Sequence, residues 1–166
     1  MENISSDIKD GSQVVYQLAC TEKDFDHARA LFKEYADSLG VDLSFQKFES
    51  ELDDIDKQYY KPEGGLLLAY IDGWAVGCAG VRKLDVEIAE LKRMYVQSAY
   101  RGYHIGRELL KLSISLAKGL GYNKMRLDTL ENMKKAQELY RSFGFYPIPA
   151  YRFNPISGTI YMEKIL

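Results

Sequence analysis

Residues 90–110 read ELKRMYVQSAYRGYHIGRELL, from Glu90 to Leu110, and their reading decides the fold. An apolar strand ends at Val96, a short turn follows, and Arg101-Gly102-Tyr103-His104-Ile105-Gly106 runs straight into a helix. A glycine-bearing turn entering a helix directs several backbone N–H groups outward at the positive end of the helix dipole. Such a turn can hold a phosphate or pyrophosphate without side-chain charge. Glycines also open helices that bind nothing, so the turn alone leaves both readings open.

Working outward, Ala89 to Val96 is the strand that feeds the turn, and Gly106 to Leu120 is the helix that leaves it. Its apolar stripe is Ile105, Leu109, Leu112, Leu116 and Leu120, and Gly121 supplies a left-handed C-terminal residue. Lys124 to Leu130 reads as a strand, Asn132 as an N-cap, and Met133 to Ser142 as a helix closed by Gly144. Phe145 to Ile148 and Thr159 to Ile165 are the last strands, joined by a long loop bearing Pro and Tyr. Upstream, Gln13 to Ala19 alternates as a strand should. Thr21-Glu22-Lys23-Asp24 then forms a capping box ahead of the stripe Phe25, Ala28, Leu31, Phe32, Tyr35 and Leu39, which Gly40 stops. A second helix is expected from Phe45 to Tyr59, broken by Pro62, Gly64 and Gly65. Leu66 to Ile71 and Trp74 to Val81 flank Asp72-Gly73, a two-residue hairpin turn in which both residues tolerate positive φ. The order β, α, α, β, β, β, α, β, α, β, β indicates an α+β fold with helices packed on a central mixed sheet.

Composition narrows the functions. A chain of 166 residues is about one domain's length, and 1–166 is read as a single domain with a frayed, polar start over 1–11. A formal net charge of −2, with Lys and Arg interleaved among acids, argues against nucleic acid as a partner. Cys20 and Cys78 are too few for a disulfide framework, and with His27 and His104 they offer no metal-ligand spacing, so no metal is expected. The longest apolar stretch, near Leu66 to Tyr70, is too short to span a membrane, and Met1 to Gly11 lacks the pattern of a secretory signal. Cytoplasmic residence is the expectation. Nothing in the residues specifies an oligomer, although a homodimer is compatible with them. Cys78 lies in an apolar strand with no basic neighbour, which fits core packing better than a nucleophile.

The turn resembles the central motif of the GNAT superfamily, Gln/Arg-x-x-Gly-x-Gly/Ala followed by an apolar helix. Arg101 fills the first position, Gly106 the last, and Leu109-Leu110 open the helix. Downstream, Ala136-Gln137-Glu138-Leu139-Tyr140-Arg141-Ser142-Phe143-Gly144-Phe145 is similar to the superfamily's second signature, alanine to Leu-Tyr to Gly-Phe. The two motifs stand in the family's order and separation, and the element order fits from about Ser12 to the C-terminus. The resemblance implies a mostly antiparallel mixed sheet of about six to seven strands with about four helices, and an acetyl-CoA-dependent N-acetyltransferase. Two departures stand out. His104 replaces the middle glycine, so the turn must either relax or bind pyrophosphate less tightly. The family's asparagine position holds Met133, with Asn132 one residue earlier, either contacting acetyl-CoA or only capping the helix.

The resemblance also implies roles. Arg101, Gly102, Tyr103, His104, Ile105, Gly106 and Arg107 would form the pyrophosphate turn. Met94, Tyr95 and Val96 would offer backbone to the pantetheine arm, as a sheet edge offers it to an added strand. The acetyl group would meet an amine of a small molecule or peptide where the strands splay. A Lys-like amine is free base in only about one molecule in a thousand at neutral pH, so a base or a water chain must take a proton. Glu90 falls where some relatives carry a strand glutamate that acts as base, and is otherwise a strand-edge residue pairing with Lys92 or Arg93. Tyr140 matches the family tyrosine that protonates the leaving thiolate, and is otherwise core. Lys92 and Arg93 themselves are expected to face solvent or the phosphates. The acceptor would be read by the first two helices and the loop before the last strand. The acidic segment Glu49 to Asp56, with Glu34 nearby, suits a cationic amine or is a solvated face. A CoA-binding sensor without turnover is the alternative from another class.

Overall fold

The computed structural model describes residues 4–7, 11–44 and 47–166. Eight strands form one sheet in the order β1-β2-β3-β4-β5-β6-β8-β7. They are β1 (Ile4–Asp7), β2 (Gln13–Leu18), β3 (Gly65–Ile71), β4 (Trp74–Asp85), β5 (Ile88–Val96), β6 (Lys124–Leu130), β7 (Tyr146–Ile148) and β8 (Thr159–Ile165). The helices are α1 (Glu22–Leu39), α2 (Phe48–Asp53), α3 (Ile55–Gln58), α4 (Ile105–Gly119) and α5 (Lys134–Ser142). The sheet exceeds the expected count because Ile4–Asp7, within the start expected to fray, pairs antiparallel with β2. The expected second helix splits at Asp54 into α2 and α3, and its expected first residue, Phe45, lies outside the described residues.

Local chemistry sets most of these boundaries. Thr21 Oγ1 accepts from the Asp24 N–H at 3.2 Å, and the Asp24 carboxylate accepts from the Thr21 N–H at 3.0 Å, completing the capping box of α1. The Asp72-Gly73 turn has positive φ at both residues and brings Ile71 opposite Trp74. Helix α5 begins one residue later than expected. Its N-cap is Met133, which makes no side-chain cap, and Asn132 is exposed and caps nothing.

The sheet is covered on both faces, which is why β3 reads as a continuous apolar run rather than an alternating one. On one face α4 and α5 pack Ile105, Leu109, Leu110, Leu116 and Tyr140 against Leu67, Leu91, Met125 and Leu127. On the other, α1, α2 and α3 pack Phe25, Phe32, Leu52, Ile55 and Tyr59 against Leu66, Leu68, Cys78 and Tyr95. Each fully buried leucine contributes about 1.5–3 kcal/mol of transfer free energy. Cys78 is one of these core groups: it is fully buried, its thiol is pushed up by burial, and its Sγ–H reaches the Arg93 carbonyl at 3.2 Å.

Every neighbouring pair in the sheet is antiparallel except β5 and β6. These run parallel because α4 carries the chain back across the sheet between them. Their pairing covers Ile88 to Glu90 against Lys124 to Arg126. Beyond that point the strands part, and a cleft opens through the sheet.

Candidate active site

One wall of the cleft is built from backbone. At Arg93 the β5 chain takes φ 54°, and the register with β4 jumps from Cys78↔Tyr95 to Gly80↔Lys92. Two β5 residues thus stand opposite one β4 residue, a bulge that bends β5 and sharpens its twist. Met94, Tyr95 and Val96 follow it along the edge that β6 has left. The Tyr95 side chain turns away, its hydroxyl donating to Glu34 Oε1 of α1 at 2.8 Å. Burial and that carboxylate push its phenol up to about 12.

The chain then makes one short turn of 3₁₀ helix, Ser98–Tyr100, and Arg101 folds back so that its Nε–H reaches the Val96 carbonyl at 3.0 Å. Gly102 has φ 95°, and His104, the N-cap of α4, holds φ 61°. The turn therefore does not relax at the substituted position; histidine simply occupies the left-handed conformation. A loop hydrogen bond from Glu108 N–H to the His104 carbonyl at 3.1 Å opens the helical ladder, so the amides of Ile105, Gly106 and Arg107 point out of the helix end. The Ile105 side chain is buried beneath them, whereas Arg101, Gly102, His104 and Arg107 are exposed. A Cβ on Gly106 would meet only Val96 Cγ2, at 3.7 Å, an ordinary contact. The chain's own packing does not demand glycine there, and the bare backbone suits close approach by a diphosphate. Arg107 stacks on Phe143, 4.9 Å from its centroid, tying the turn to the second motif.

The opposite wall is built from side chains that are distant in sequence. Tyr35 of α1, Asp128 of β6, Tyr140 of α5 and Asn154 of the loop before β8 all line the cleft, and Lys92 reaches it from β5 itself. Tyr140 packs edge-on against Phe145 at 5.9 Å, and among the described residues its hydroxyl has no hydrogen-bond partner. Burial, reinforced by Tyr35 and Asp128, pushes its phenol up, so it remains protonated. Burial likewise pushes Tyr35 up to about 12. Asp128 Oδ1 lies 3.7 Å from Lys92 Nζ.

Several expected placements change. Lys92 and Arg93 are buried rather than solvent-facing, at 5% and 6% exposure. Burial holds the Lys92 ammonium below its ordinary value, against the pull of Asp128 and Glu90. Arg93 pairs with Glu51 at 2.7 Å, so one member of the expected acidic face belongs to the interior. Glu90 has no exposed surface and does not line the cleft. Its carboxylate is held by Lys92 at 3.5 Å, Arg82 at 3.8 Å and Arg152, facing a neighbouring recess. The pairing with Lys92 is realised, and the one with Arg93 is not. The sequence reading missed Asp128 and Tyr35. The alternation of β6, with Met125 and Leu127 inward and Asp128 between buried neighbours, was the available signal for Asp128.

Among the described residues no cluster of His, Cys, Asp and Glu could hold a metal ion, and no helix is long and apolar enough to cross a membrane. The profile of the Acetyltransferase (GNAT) family matches residues 28–145. An uncharacterized N-acetyltransferase of Schizosaccharomyces pombe is 38% identical over 143 residues, covering 85% of this chain and 88% of that protein. A Streptococcus agalactiae acetyltransferase structure superposes with a TM-score of 0.76 at 19% identity, over 92% of this chain and 98% of that one, a likeness of fold. A GNAT acetyltransferase of Elizabethkingia anophelis with acetyl-CoA bound matches at a TM-score of 0.55 and 25% identity, over 69% of this chain and 82% of that one. The splayed parallel pair, the amide turn and these matches agree: the chain belongs to the acetyltransferase (GNAT) family and is an N-acetyltransferase.

Proposed function

We propose that the β5/β6 cleft transfers acetyl from acetyl-CoA to a primary amine of a small molecule or peptide, within one domain spanning residues 1–166. The observation that carries this reading is the meeting of three features. Met94, on the strand edge that β6 leaves free, lines one cleft with Asp128 and Tyr140, and the chain runs on from that edge through Val96 into a helix end with three outward amides. The amides of Ile105, Gly106 and Arg107, with Arg101, Gly102, Tyr103 and His104 shaping the turn, would hold the pyrophosphate. The backbone of Met94 to Val96 would hold the pantetheine arm. Asn132 is exposed and directly precedes Met133, which lines the cleft, and in this reading it takes no assigned role. Acetyl-CoA as donor and an amine as acceptor suit the cytoplasmic residence expected from the sequence.

In this reading Asp128 takes a proton from the acceptor ammonium, freeing its lone pair to attack the thioester carbonyl. A C–N bond forms and the C–S bond breaks. Tyr140, kept protonated by burial, gives its proton to the departing sulfur and is reprotonated from the second amine proton through the cleft water. Glu90, expected as the base, acts instead from behind as an anchor for Lys92, which faces Asp128. Holding both reactants together supplies much of the rate, and proton transfer adds about 10²- to 10⁴-fold.

The test begins with melting. A ligand that binds only the folded state stabilises it by RT ln(1 + [L]/Kd), about 2.7 kcal/mol at a hundredfold excess over Kd. Acetyl-CoA should raise the Tm, and Gly106→Glu, which sets a carboxylate against the diphosphate, should abolish the rise. An undiminished rise in that variant removes the turn from the site. Absence of thiol release across a panel of amines, with the rise intact, would leave binding without turnover.

A further inference from the structure

The bulge that opens the cleft is not left to the backbone alone. Arg93, which sits there with φ 54° in a conformation that favours glycine, sends its side chain to Glu51 of α2, on the face of the sheet that α1, α2 and α3 cover. Its Nε–H reaches Glu51 Oε1 at 3.1 Å, its Nη2–H reaches Glu51 Oε2 at 2.7 Å, and its guanidinium lies 5.0 Å from the Phe48 ring centroid. Tyr59, just past α3, donates its hydroxyl to the same Glu51 Oε1 at 2.5 Å. The Tyr59 ring packs against Gly80, where an added Cβ would sit 2.4 Å from Cε1, and Gly80 is the β4 residue that resumes the register after the bulge. Glu51, Tyr59 and Arg93 are all nearly inaccessible. Burial would raise the Glu51 carboxyl, but the Arg93 bonds and the Tyr59 hydroxyl outweigh it and hold it below its ordinary value.

A buried ion pair is a poor device for stability, because desolvation cancels most of its attraction. What a bidentate, hydrogen-bonded pair does well is fix geometry. Here it joins two points: the strained residue at which β5 turns away from β6, and the helix after the segment that contributes Leu39 and Leu43 to the cleft. We infer that Glu51 and Arg93 are positioning residues for acetyl transfer, locking the bulge so that the Met94–Val96 edge and the acceptor side of the cleft are set as one piece. The inference rests on the reading of the β5/β6 cleft as the transfer site.

Three variants test it. Glu51→Gln keeps the shape but loses the charge. Glu51→Gln combined with Arg93→Gly removes the clamp without orphaning a buried carboxylate, and glycine takes positive φ freely. Arg93→Lys keeps charge and stem but cannot form two parallel bonds. All are assayed well below their own Tm, so that a purely stabilising role would lower Tm and leave the kinetics alone. Positioning predicts a fall in kcat of about ten- to a hundredfold, the scale of a misplacement near 1 Å, together with a smaller acetyl-CoA-induced rise in Tm. Parent-like kcat and acetyl-CoA response in the folded variants would overturn the inference, the double variant being decisive, with Arg93→Lys deciding should it not fold. Gly106→Glu run in parallel separates the two proposals. Loss of acetyl-CoA binding there with parent-like clamp variants sinks only the clamp, whereas retained binding there sinks the cleft reading itself.

Discussion

The two walls of the cleft are made of different material. The wall from Met94 to Arg107 is contiguous in sequence and presents backbone: an unpaired strand edge, then three amides at the head of α4. The facing wall gathers Tyr35, Asp128, Tyr140 and Asn154 from α1, β6, α5 and the loop before β8, and presents side chains. Backbone recognition depends on conformation, so most side chains there can change without loss. Side-chain recognition depends on identity, so single atoms matter. Substitutions should therefore have large effects on the second wall and small ones on the first, unless they introduce charge or upset the bend between them.

The largest effect expected is at Asp128. Asp128→Asn keeps size and hydrogen-bonding capacity but cannot accept a proton from the amine, so kcat should fall about 10²- to 10⁴-fold. At 1.36 kcal/mol per decade this is about 2.7–5.4 kcal/mol of barrier. The acetyl-CoA-induced rise in Tm should persist, because the backbone wall is untouched. Unchanged kcat, measured with a good acceptor where chemistry limits the rate, would mean that water alone carries the proton.

Next comes the bend. Gly80→Ala would drive a methyl into the Tyr59 ring, which is itself fully buried and cannot swing clear. Overpacking of this kind costs about 1–3 kcal/mol. For a chain of 166 residues that corresponds to a drop in Tm of about 2–12 °C. A melting curve that does not move would show that Tyr59 yields cheaply and that the contact is looser than its geometry.

Tyr140→Phe is expected to be milder than Asp128→Asn. The ring contact with Phe145 survives, and only the proton donor is lost. A thiol with a pKa near 8.5 leaves more readily than an alcohol, so the assistance it needs is smaller, and a fall of about tenfold in both kcat and kcat/KM is expected. Affinity for acetyl-CoA should hold. Unaltered turnover would make Tyr140 a core residue that happens to face the opening.

The same contrast explains what could be read in advance. Thr21 with Asp24, Asp72 with Gly73, and the run from Val96 into α4 are local signals, each complete within a few residues, and the elements they mark stand where expected. The turn that leads from β5 into α4 was legible for the same reason. The bulge was not, because Arg93 adopts positive φ with help from Glu51, a residue forty-two positions away on a different helix. Glu90 illustrates the converse. Its strand position was legible, but its engagement by Arg82 and Arg152 depends on β4 and on a loop near the C-terminus, and no spacing within β5 reveals them. The acidic run from Glu49 to Asp56 reads in sequence as one helix face, solvated or turned to a cationic amine, yet the split at Asp54 and the burial of Glu51 make it two short helices with one inward carboxylate.

The smallest effect is expected at His104, where the backbone wall carries an apparent defect. Left-handed conformation costs an L-residue about 1–2 kcal/mol relative to glycine, and His104 meets that cost at φ 61°. Glycine would relieve it but would also loosen the unfolded chain, an entropic penalty of about 0.5–1 kcal/mol, so the net change in stability should stay within about 1 kcal/mol. The imidazole is exposed, makes no cap to α4, and stands on the wall that uses backbone. His104→Gly should therefore leave kcat unchanged and leave acetyl-CoA affinity equal or tighter at pH 8, where a bare turn admits the diphosphate more closely. A hundredfold fall in kcat with intact acetyl-CoA binding would break the contrast altogether, since it would place a side chain of the backbone wall in the proton transfer.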